Sequence, residues 1–384
     1  NGELKSMYSV ESLLSLIKKT PLTKPLRILN VCGGHERAIT RAGFRTLFQH
    51  NIHLIPGPGC PVCICPEEDI AFAIHLALNE NVVIVSFGDM LRVPIDCAID
   101  GCDSLIAAKN SGADVRPISS VQEAVSIAIG EPEKAVVFFA VGFETTMAPV
   151  AAALLADLPN NLKVLLSGRL TWPAVAHVLR SQKDTFDALI APGHVATIMG
   201  CEEWQFVIDH HDLPVSISGF HPESLLLSIH ALIKNCSSRV ITLNNSYPEV
   251  VKHHGNSAAK TLLKTAFTQV DAHWRGIGVI PRSGFSLAAK LSHLDVTNHY
   301  EPIDSSSRII QTGLKTPPPC EQVILGQMAP DGCPFFGKEC IPASPKGACM
   351  VSDEGACRIW YSAGERSVIE VIEKGNMQKV EIKS

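Results

Sequence analysis

The run Leu26-Arg-Ile-Leu-Asn-Val31 passes directly into Cys32-Gly-Gly-His-Glu36 and then into a helical stretch from about Arg37. A near-continuous apolar strand that feeds a helix through a glycine turn is the repeating unit of a parallel sheet covered on both faces. The unit recurs along the chain. Strands are expected at 26–31, 82–87, 135–141, 163–166, 187–190, 215–218 and 240–243, and helices at 67–79, 121–129, 149–156, 173–182, 222–234 and 258–267. The fold class is α/β, with two parallel-sheet domains at 1–120 and 121–300. After Ser305-Ser-Ser and Thr316-Pro-Pro-Pro319 the periodicity fades, and Cys, Pro and Gly dominate until Val368–Ile372. Residues 301–384 therefore read as a small third domain that needs a metal to fold.

Composition removes several classes of function. Hydrophobic residues make up 46% of the 384 and charged ones 18%, so the chain is globular rather than disordered. Lys plus Arg number 33 against 38 acids, without a basic run, so neither nucleic acid nor an anionic membrane is an expected partner. No apolar stretch reaches the roughly 18 residues of a membrane span, and the first residues carry no signal-type apolar core. A cytoplasmic location is expected. Thirteen cysteines, an odd number, then point to reduced thiols, metal ligation or redox chemistry rather than structural bridges.

Ligands of parallel α/β sheets bind beyond the carboxyl ends of the strands, where the motif-bearing turns lie. Cys32 and His35 offer a soft and a borderline metal ligand three residues apart, at a helix start whose N–H groups favour a thiolate. The plainer reading of that turn is a tight bend with a half-buried cysteine. Gly57-Pro-Gly-Cys60-Pro-Val-Cys63-Ile-Cys65-Pro66 places Cys60 and Cys63 in Cys-x-x-Cys spacing just before a helix, as disulfide oxidoreductases do. Half a zinc site, or thiols without a role, would explain the same residues. Glu144 in Gly142-Phe-Glu-Thr-Thr146 and His194 in Ala191-Pro-Gly-His-Val195 occupy equivalent strand-end turns. Singly, each is an ordinary capping or turn residue; together with Cys32 and Cys60 they could converge on one crevice and move protons there. His75 and His177 read as helix-face residues.

Cys320, Cys333, Cys340, Cys349 and Cys357 lack the paired Cys-x2–4-Cys spacing of zinc ribbons. Widely spaced thiolates with Pro334 and Pro342 nearby suit a cubane iron–sulfur cluster, with structural zinc as the alternative. Neither a P-loop, nor Gly-x-Gly-x-x-Gly, nor Gly-x-Ser-x-Gly occurs.

Taken in order, these motifs resemble the HypD family of [NiFe]-hydrogenase maturation factors. The match continues through Trp274-Arg-Gly-Ile-Gly-Val-Ile-Pro281 and Gly347-Ala-Cys-Met-Val-Ser-Asp-Glu-Gly355 and covers essentially the whole chain. The resemblance implies two α/β domains plus a [4Fe–4S] domain. It implies a scaffold that, with a HypC-like small chaperone, holds the iron on which two cyanides and one CO are assembled. Cys32 would be the iron-binding thiolate with His35 beside it, and Cys60 and Cys63 the redox pair. A HypE-like thiocyanate carrier would donate the cyanide. Such a protein is an assembly scaffold with redox-active thiols rather than a conventional turnover enzyme.

Two departures stand out. Many relatives open the C-terminal domain with Cys-x-Cys-Gly, where this chain has Pro318, Cys320 and Glu321. With Cys320, Cys333, Cys340 and Cys357 as cluster ligands, only Cys349 remains, so no disulfide is expected in this domain. His221 stands where relatives usually carry Glu. A [4Fe–4S]-dependent thiol–disulfide oxidoreductase and a zinc-stapled binding protein are the competing readings.

Overall fold

A computed structural model describes residues 9–48, 50–302, 310–311 and 319–364. The expected linker residues Ser305 and Thr316–Pro318, and the periodic stretch Val368–Ile372, lie outside the described residues. Thirteen strands are assigned among those that are described: β1 Leu26–Asn30, β2 Ile52–Pro56, β3 Val82–Phe87, β4 Cys97–Ala98, β5 Val115–Ile118, β6 Ala135–Gly142, β7 Leu162–Gly168, β8 Ala188–Pro192, β9 Val215–Ser218, β10 Leu243–Asn245, β11 Phe267–Trp274, β12 Gly278–Leu287 and β13 Ile310–Gln311.

Nine of these strands build two parallel sheets, which confirms the α/β class. The first sheet has the order β10-β9-β8-β1-β2 and the second β5-β3-β6-β7. Every pairing in both sheets is parallel. Each sheet is clad on both faces, as the near-continuous apolar strands require. On one face of the first sheet Ile28, Leu54 and Ile190 pack against Leu225, Ile229 and Leu232 of the helix Pro222–Ser238. On the other face Leu29, Leu189 and Ile217 pack against Val175, Val178 and Trp204. The alternation within each strand is the two-residue period of a pleated sheet.

Sheet membership does not follow the expected division near residue 120. The chain lays down β1 and β2, crosses to the second sheet for β3, β5, β6 and β7, then returns for β8, β9 and β10. The helix Thr171–Ser181 makes the return: it leaves β7 of the second sheet and buries Val175 and Leu179 on the first. A local strand–helix pattern carries no information about which sheet a strand joins. A further correction concerns the last strand expected in this region, at 240–243. It begins at Leu243, and Val240 and Ile241 are exposed.

The antiparallel pair β11–β12 forms a hairpin beside the sheets. Its Trp274 is fully buried, stacks on Phe143 at 5.9 Å and donates from Nε1 to Ser283 Oγ at 2.8 Å. No described helix is long and apolar enough to cross a membrane.

Candidate metal and thiol site

Each sheet reverses its strand order once, the first between β1 and β8 and the second between β3 and β6. Crevices open at such switch points, beyond the carboxyl ends of the strands. In the first sheet β1 leads to Cys32 and β8 to His194, so the two flank one switch point.

Cys32 is the N-cap of the helix Gly33–Arg41, which begins four residues earlier than the sequence suggests. Its sulfur makes no capping hydrogen bond; the nearby backbone N–H groups of His35 and Gly34 favour the thiolate, yet burial dominates and pushes the thiol up to about 12. Glu354 and Glu36 raise it further by their charge. The protonated thiol is thus stable at neutral pH, and a cation is needed to draw out the thiolate.

His35 is fully buried one turn along the same helix. Its Nε2 lies 2.9 Å from the carbonyl oxygen of Ser218 at the end of β9. A carbonyl only accepts, so Nε2 carries the proton and Nδ1 keeps its lone pair. That Nδ1 is buried with no hydrogen-bond partner among the described residues. Burial also pulls the imidazole down to about 4, so it is neutral at pH 7. A neutral imidazole with an unspent, buried lone pair is the form that binds a metal. Phe220 packs between His35 and His194, at 4.7 and 3.9 Å between ring centroids. His221, next to it, is the exposed N-cap of the helix Pro222–Ser238.

The Cys-x-x-Cys loop lies directly on Cys32. A side chain at Gly59 would come within 2.5 Å of the Cys32 nitrogen, so only glycine permits the approach. Cys60 and Cys63 are joined by a disulfide, with Cα atoms 5.3 Å apart. A small cavity of about 20 Å³ connects this disulfide with Cys32, Glu36, Cys349 and Glu354. That is room for about one water-sized molecule.

Glu354 is a residue the sequence reading did not single out. Its backbone and Cβ approach Gly33 so closely that a side chain there would meet them at 2.5 Å. Burial raises its carboxyl above the usual range, while Arg37 opposes that shift. The same segment reaches the second sheet, where Ser352 Oγ donates to Asp89 at 3.1 Å. Glu36 is a second missed residue. It accepts from Arg45 Nη2 at 2.7 Å, Trp360 Nε1 at 2.6 Å and Asn30 Nδ2 at 3.3 Å.

Glu144 does not line this cavity. It is fully buried and accepts from Thr171 N–H at 2.8 Å and Thr171 Oγ1 at 2.7 Å, which satisfies the start of the helix Thr171–Ser181. Burial raises its carboxyl to about 7 against those hydrogen bonds. The structure therefore gathers Cys32 with the Cys60–Cys63 loop on one cavity, while His35 and His194 pack on Phe220 at the same switch point, outside the lining of that cavity. It places Glu144 at the switch point of the second sheet, whose turn supplies Phe143 to the packing around Cys60 and Cys63.

The five C-terminal thiols lie close enough to feel one another's charge. Burial pushes Cys320 up to about 12, with Cys349, Cys340 and Cys333 adding their charge. Cys340 and Cys357 are raised as well, mainly by burial and by the Cys349 sulfur respectively. Cys349 is unbridged and held lower by hydrogen bonds from Cys357. Among the described residues no three of these sulfurs lie within 4.8 Å of one another. A tetrahedral zinc with Zn–S near 2.3 Å would bring them to about 3.8 Å. Buried Cys340, Cys349 and Cys357 with half-buried Cys320 and Cys333, at wider spacing, fit a multi-metal cluster, and Cys340, Cys349 and Cys357 pack in the same apolar group as Cys60 and Cys63.

The profile of the HypD family, described as "Hydrogenase formation hypA family", matches residues 8–364. A putative hydrogenase expression/formation protein of Methanocaldococcus jannaschii is 39% identical over 341 residues, 88% of this chain and 91% of its own. The hydrogenase maturation factor HypD of Escherichia coli is 35% identical over 348 residues, 88% of this chain and 89% of its own. Its namesake in Cupriavidus necator is 33% identical over 358 residues, with 90% and 91% covered. With the family model matching residues 8–364 and relatives of 33–39% identity covering about nine-tenths of it, the chain belongs to the HypD family of hydrogenase formation proteins.

Proposed function

We propose that this chain holds an iron ion as cargo at Cys32 and His35 while CO and cyanide are placed on it. A HypC-like chaperone would serve as co-scaffold and a HypE-like thiocyanate carrier as cyanide source, in the cytoplasm. The orphaned, buried Nδ1 of His35, three residues along from Cys32 on the helix that Cys32 caps, carries this reading. Iron binding there releases the Cys32 proton, and Glu354, a carboxyl group that lines the cavity at Cys32, can accept it. A soft thiolate and one imidazole leave coordination positions for incoming diatomic ligands.

The Cys60–Cys63 pair supplies the redox step in its dithiol form. One thiolate attacks the sulfur of the thiocyanate, cyanide leaves with the bond pair, and the second thiol resolves the mixed disulfide. The carrier's thiol is released, and the products are hydrogen cyanide and the Cys60–Cys63 disulfide. Two electrons and two protons from an external low-potential donor then restore the dithiol. A [4Fe–4S] cluster on Cys320, Cys333, Cys340 and Cys357 would supply one-electron chemistry beside that pair. His194 and Glu144 enter as proton-handling residues at the two switch points.

The test is an infrared spectrum of the protein co-purified anaerobically with its small partner. Bands of metal-bound CO and cyanide, lost in Cys32→Ala, are expected. A clean spectrum from iron-replete protein would overturn the scaffold reading and favour a thiol–disulfide oxidoreductase.

A further inference from the structure

Glu202, His253 and His254 belong neither to the cavity at Cys32 nor to the apolar group of the C-terminal thiols. They meet on the surface where the cladding of the two sheets joins. Glu202 follows the helix Gly193–Met199, whose second residue is His194, and the two histidines precede the helix Ser257–Ala266. Trp204 and Val251 sit in the core of the first sheet, Ala259 and Leu263 in that of the second, and Met199 packs against both. All three side chains are exposed, and one ligand atom from each lies within 4.8 Å of the other two. His254 Nδ1 is 2.7 Å from Glu202 Oε2, and the two imidazole rings are 4.5 Å apart between centroids.

The backbone fixes this grouping. Gly200 and Gly255 have positive φ, at +98° and +68°, and their turns lie against each other. A Cβ on Gly200 would be 2.4 Å from His253 O, and one on Gly255 2.4 Å from Ile198 O, so only glycine permits the contact. Cys201 N–H donates to Lys252 O and Glu202 N–H to His253 O, each at 3.2 Å, and Asn256 N–H donates to Ile198 O at 2.9 Å. Lys260 Nζ donates to Met199 O at 3.2 Å, His254 O at 3.3 Å and Glu202 Oε1 at 3.1 Å, which spends its three protons. Oε1 is thereby taken, and Oε2 is left with the two imidazoles.

We propose that Glu202, His253 and His254 bind a divalent metal ion of the Zn2+ type, which staples the two turns together. Two imidazoles and one carboxylate are donors that zinc takes, whereas Mg2+ and Ca2+ favour oxygen alone. Zinc–ligand bonds put the donor atoms about 3.4 Å apart, a small adjustment for exposed side chains on a fixed backbone. The ion replaces the proton that His254 Nδ1 and Glu202 Oε2 share, and water fills the fourth position. Bound there, it ties the far end of the helix that carries His194 to a helix that packs on the second sheet.

The experiment is a calorimetric Zn2+ titration of the full-length, anaerobically prepared protein against the double variant His253→Ala with His254→Ala. The thiols are the same in both proteins, so the difference isolates this site. The wild type should bind one equivalent more. Glu202→Gln should weaken that equivalent about tenfold or more, since losing a ligand costs at least what losing an outer partner does. Co2+ in place of zinc should add weak visible bands at this site, without the strong near-ultraviolet band of a cobalt–thiolate bond. Zn2+ should raise Tm more in the wild type than in the double variant, because the three donors are brought together only in the folded chain. Equal stoichiometry, or a thiolate band with the extra equivalent, would overturn the site and leave His254 and Glu202 as an ion pair only. Equal rises in Tm would overturn the staple. If the double variant does not fold, Glu202→Gln decides by the same titration.

Discussion

The two parallel sheets place similar residues at their switch points and use them in opposite ways. At the switch point of the second sheet the buried polar side chains of Glu144, Arg169 and Ser167 are all matched among the described residues. Glu144 takes both donors of Thr171, Arg169 donates to the carbonyls of His273 and Gly168, and Ser167 Oγ donates to Asp69 at 2.7 Å. In the first sheet Cys32 holds a proton that its neighbours oppose losing, and His35 buries a lone pair with no described partner. Burying an unmatched polar group costs about 1–3 kcal/mol. The second switch point has turned its polar residues into helix and strand ends. The first has kept its ligand atoms unspent, and a ligand is what would use them.

Iron binding gives the largest expected contrast. Cys32→Ala should weaken anaerobic ferrous binding on the order of 1,000-fold, because the sole soft ligand of the pair is lost. His35→Gln should weaken it less, and Glu144→Gln not at all. Binding should release about one proton at pH 7, read by calorimetry in buffers of different ionisation enthalpy, since the thiol is protonated and the imidazole is not. Equal losses from Cys32→Ala and Glu144→Gln would erase the distinction between the two switch points.

Stability against pH should separate them next. The imidazole of His35 is depressed from 6.5 to about 4 in the folded protein. The unfolded chain therefore binds more protons between those values, and stability falls by about 3 kcal/mol as pH drops from 6.5 to 4. Glu144 is raised from 4.5 to about 7, so the folded chain binds the extra proton, and stability falls by about 3 kcal/mol as pH climbs through that window. Between pH 4.5 and 6.5 the two slopes oppose each other. Urea denaturation should show the His35→Gln difference curve falling with pH and the Glu144→Gln curve rising. Parallel curves would show that the two burials are not of opposite sign.

The positions of these groups were legible in the sequence because a strand-end turn is a local pattern. Cys32, Glu144 and His194 each follow an apolar run, and Cys60 stands just before a helix start. Their roles were not, because a role depends on partners far away in the chain. Glu144 is fixed by Thr171, 27 residues on, and Glu36 by Trp360, 324 residues on. The expected crevice of four turns mixes two sheets, since nothing local tells β8 to return to β1. β2 escaped notice because His53 interrupts a strand of only five residues. β11 escaped because Thr268, Asp271 and His273 face solvent along it.

Gly59→Ala should cost about 2 kcal/mol by overpacking, because the new methyl meets the Cys32 backbone. The loss, measured by denaturation, should come with weaker iron binding even though no ligand is changed. The matching change at Gly88, which follows β3 in the second sheet and has open space around it, should cost far less. Similar costs at both positions would show that the Cys-x-x-Cys loop is not pressed on Cys32.

The smallest effect concerns how the C-terminal segment leans on both sheets at once. It is tied to the first sheet by Trp360, whose Nε1 donates to Glu36 and whose ring lies 4.9 Å from the Arg45 guanidinium. It is tied to the second by Ser352 Oγ and Asp353 N–H, both on Asp89. Trp360→Phe removes one donor from Glu36, which keeps Arg45 and Asn30, and retains a ring for the cation. The cost should be about 1 kcal/mol. Hydrogen exchange should quicken along the helix Ala356–Ala363, because its anchor is the one released. Exchange at Asp353 should not change, since its N–H bonds to Asp89 of the other sheet. Equal quickening at both places would mean that the segment grips the two sheets as a single clamp, and that the first switch point has no anchor of its own.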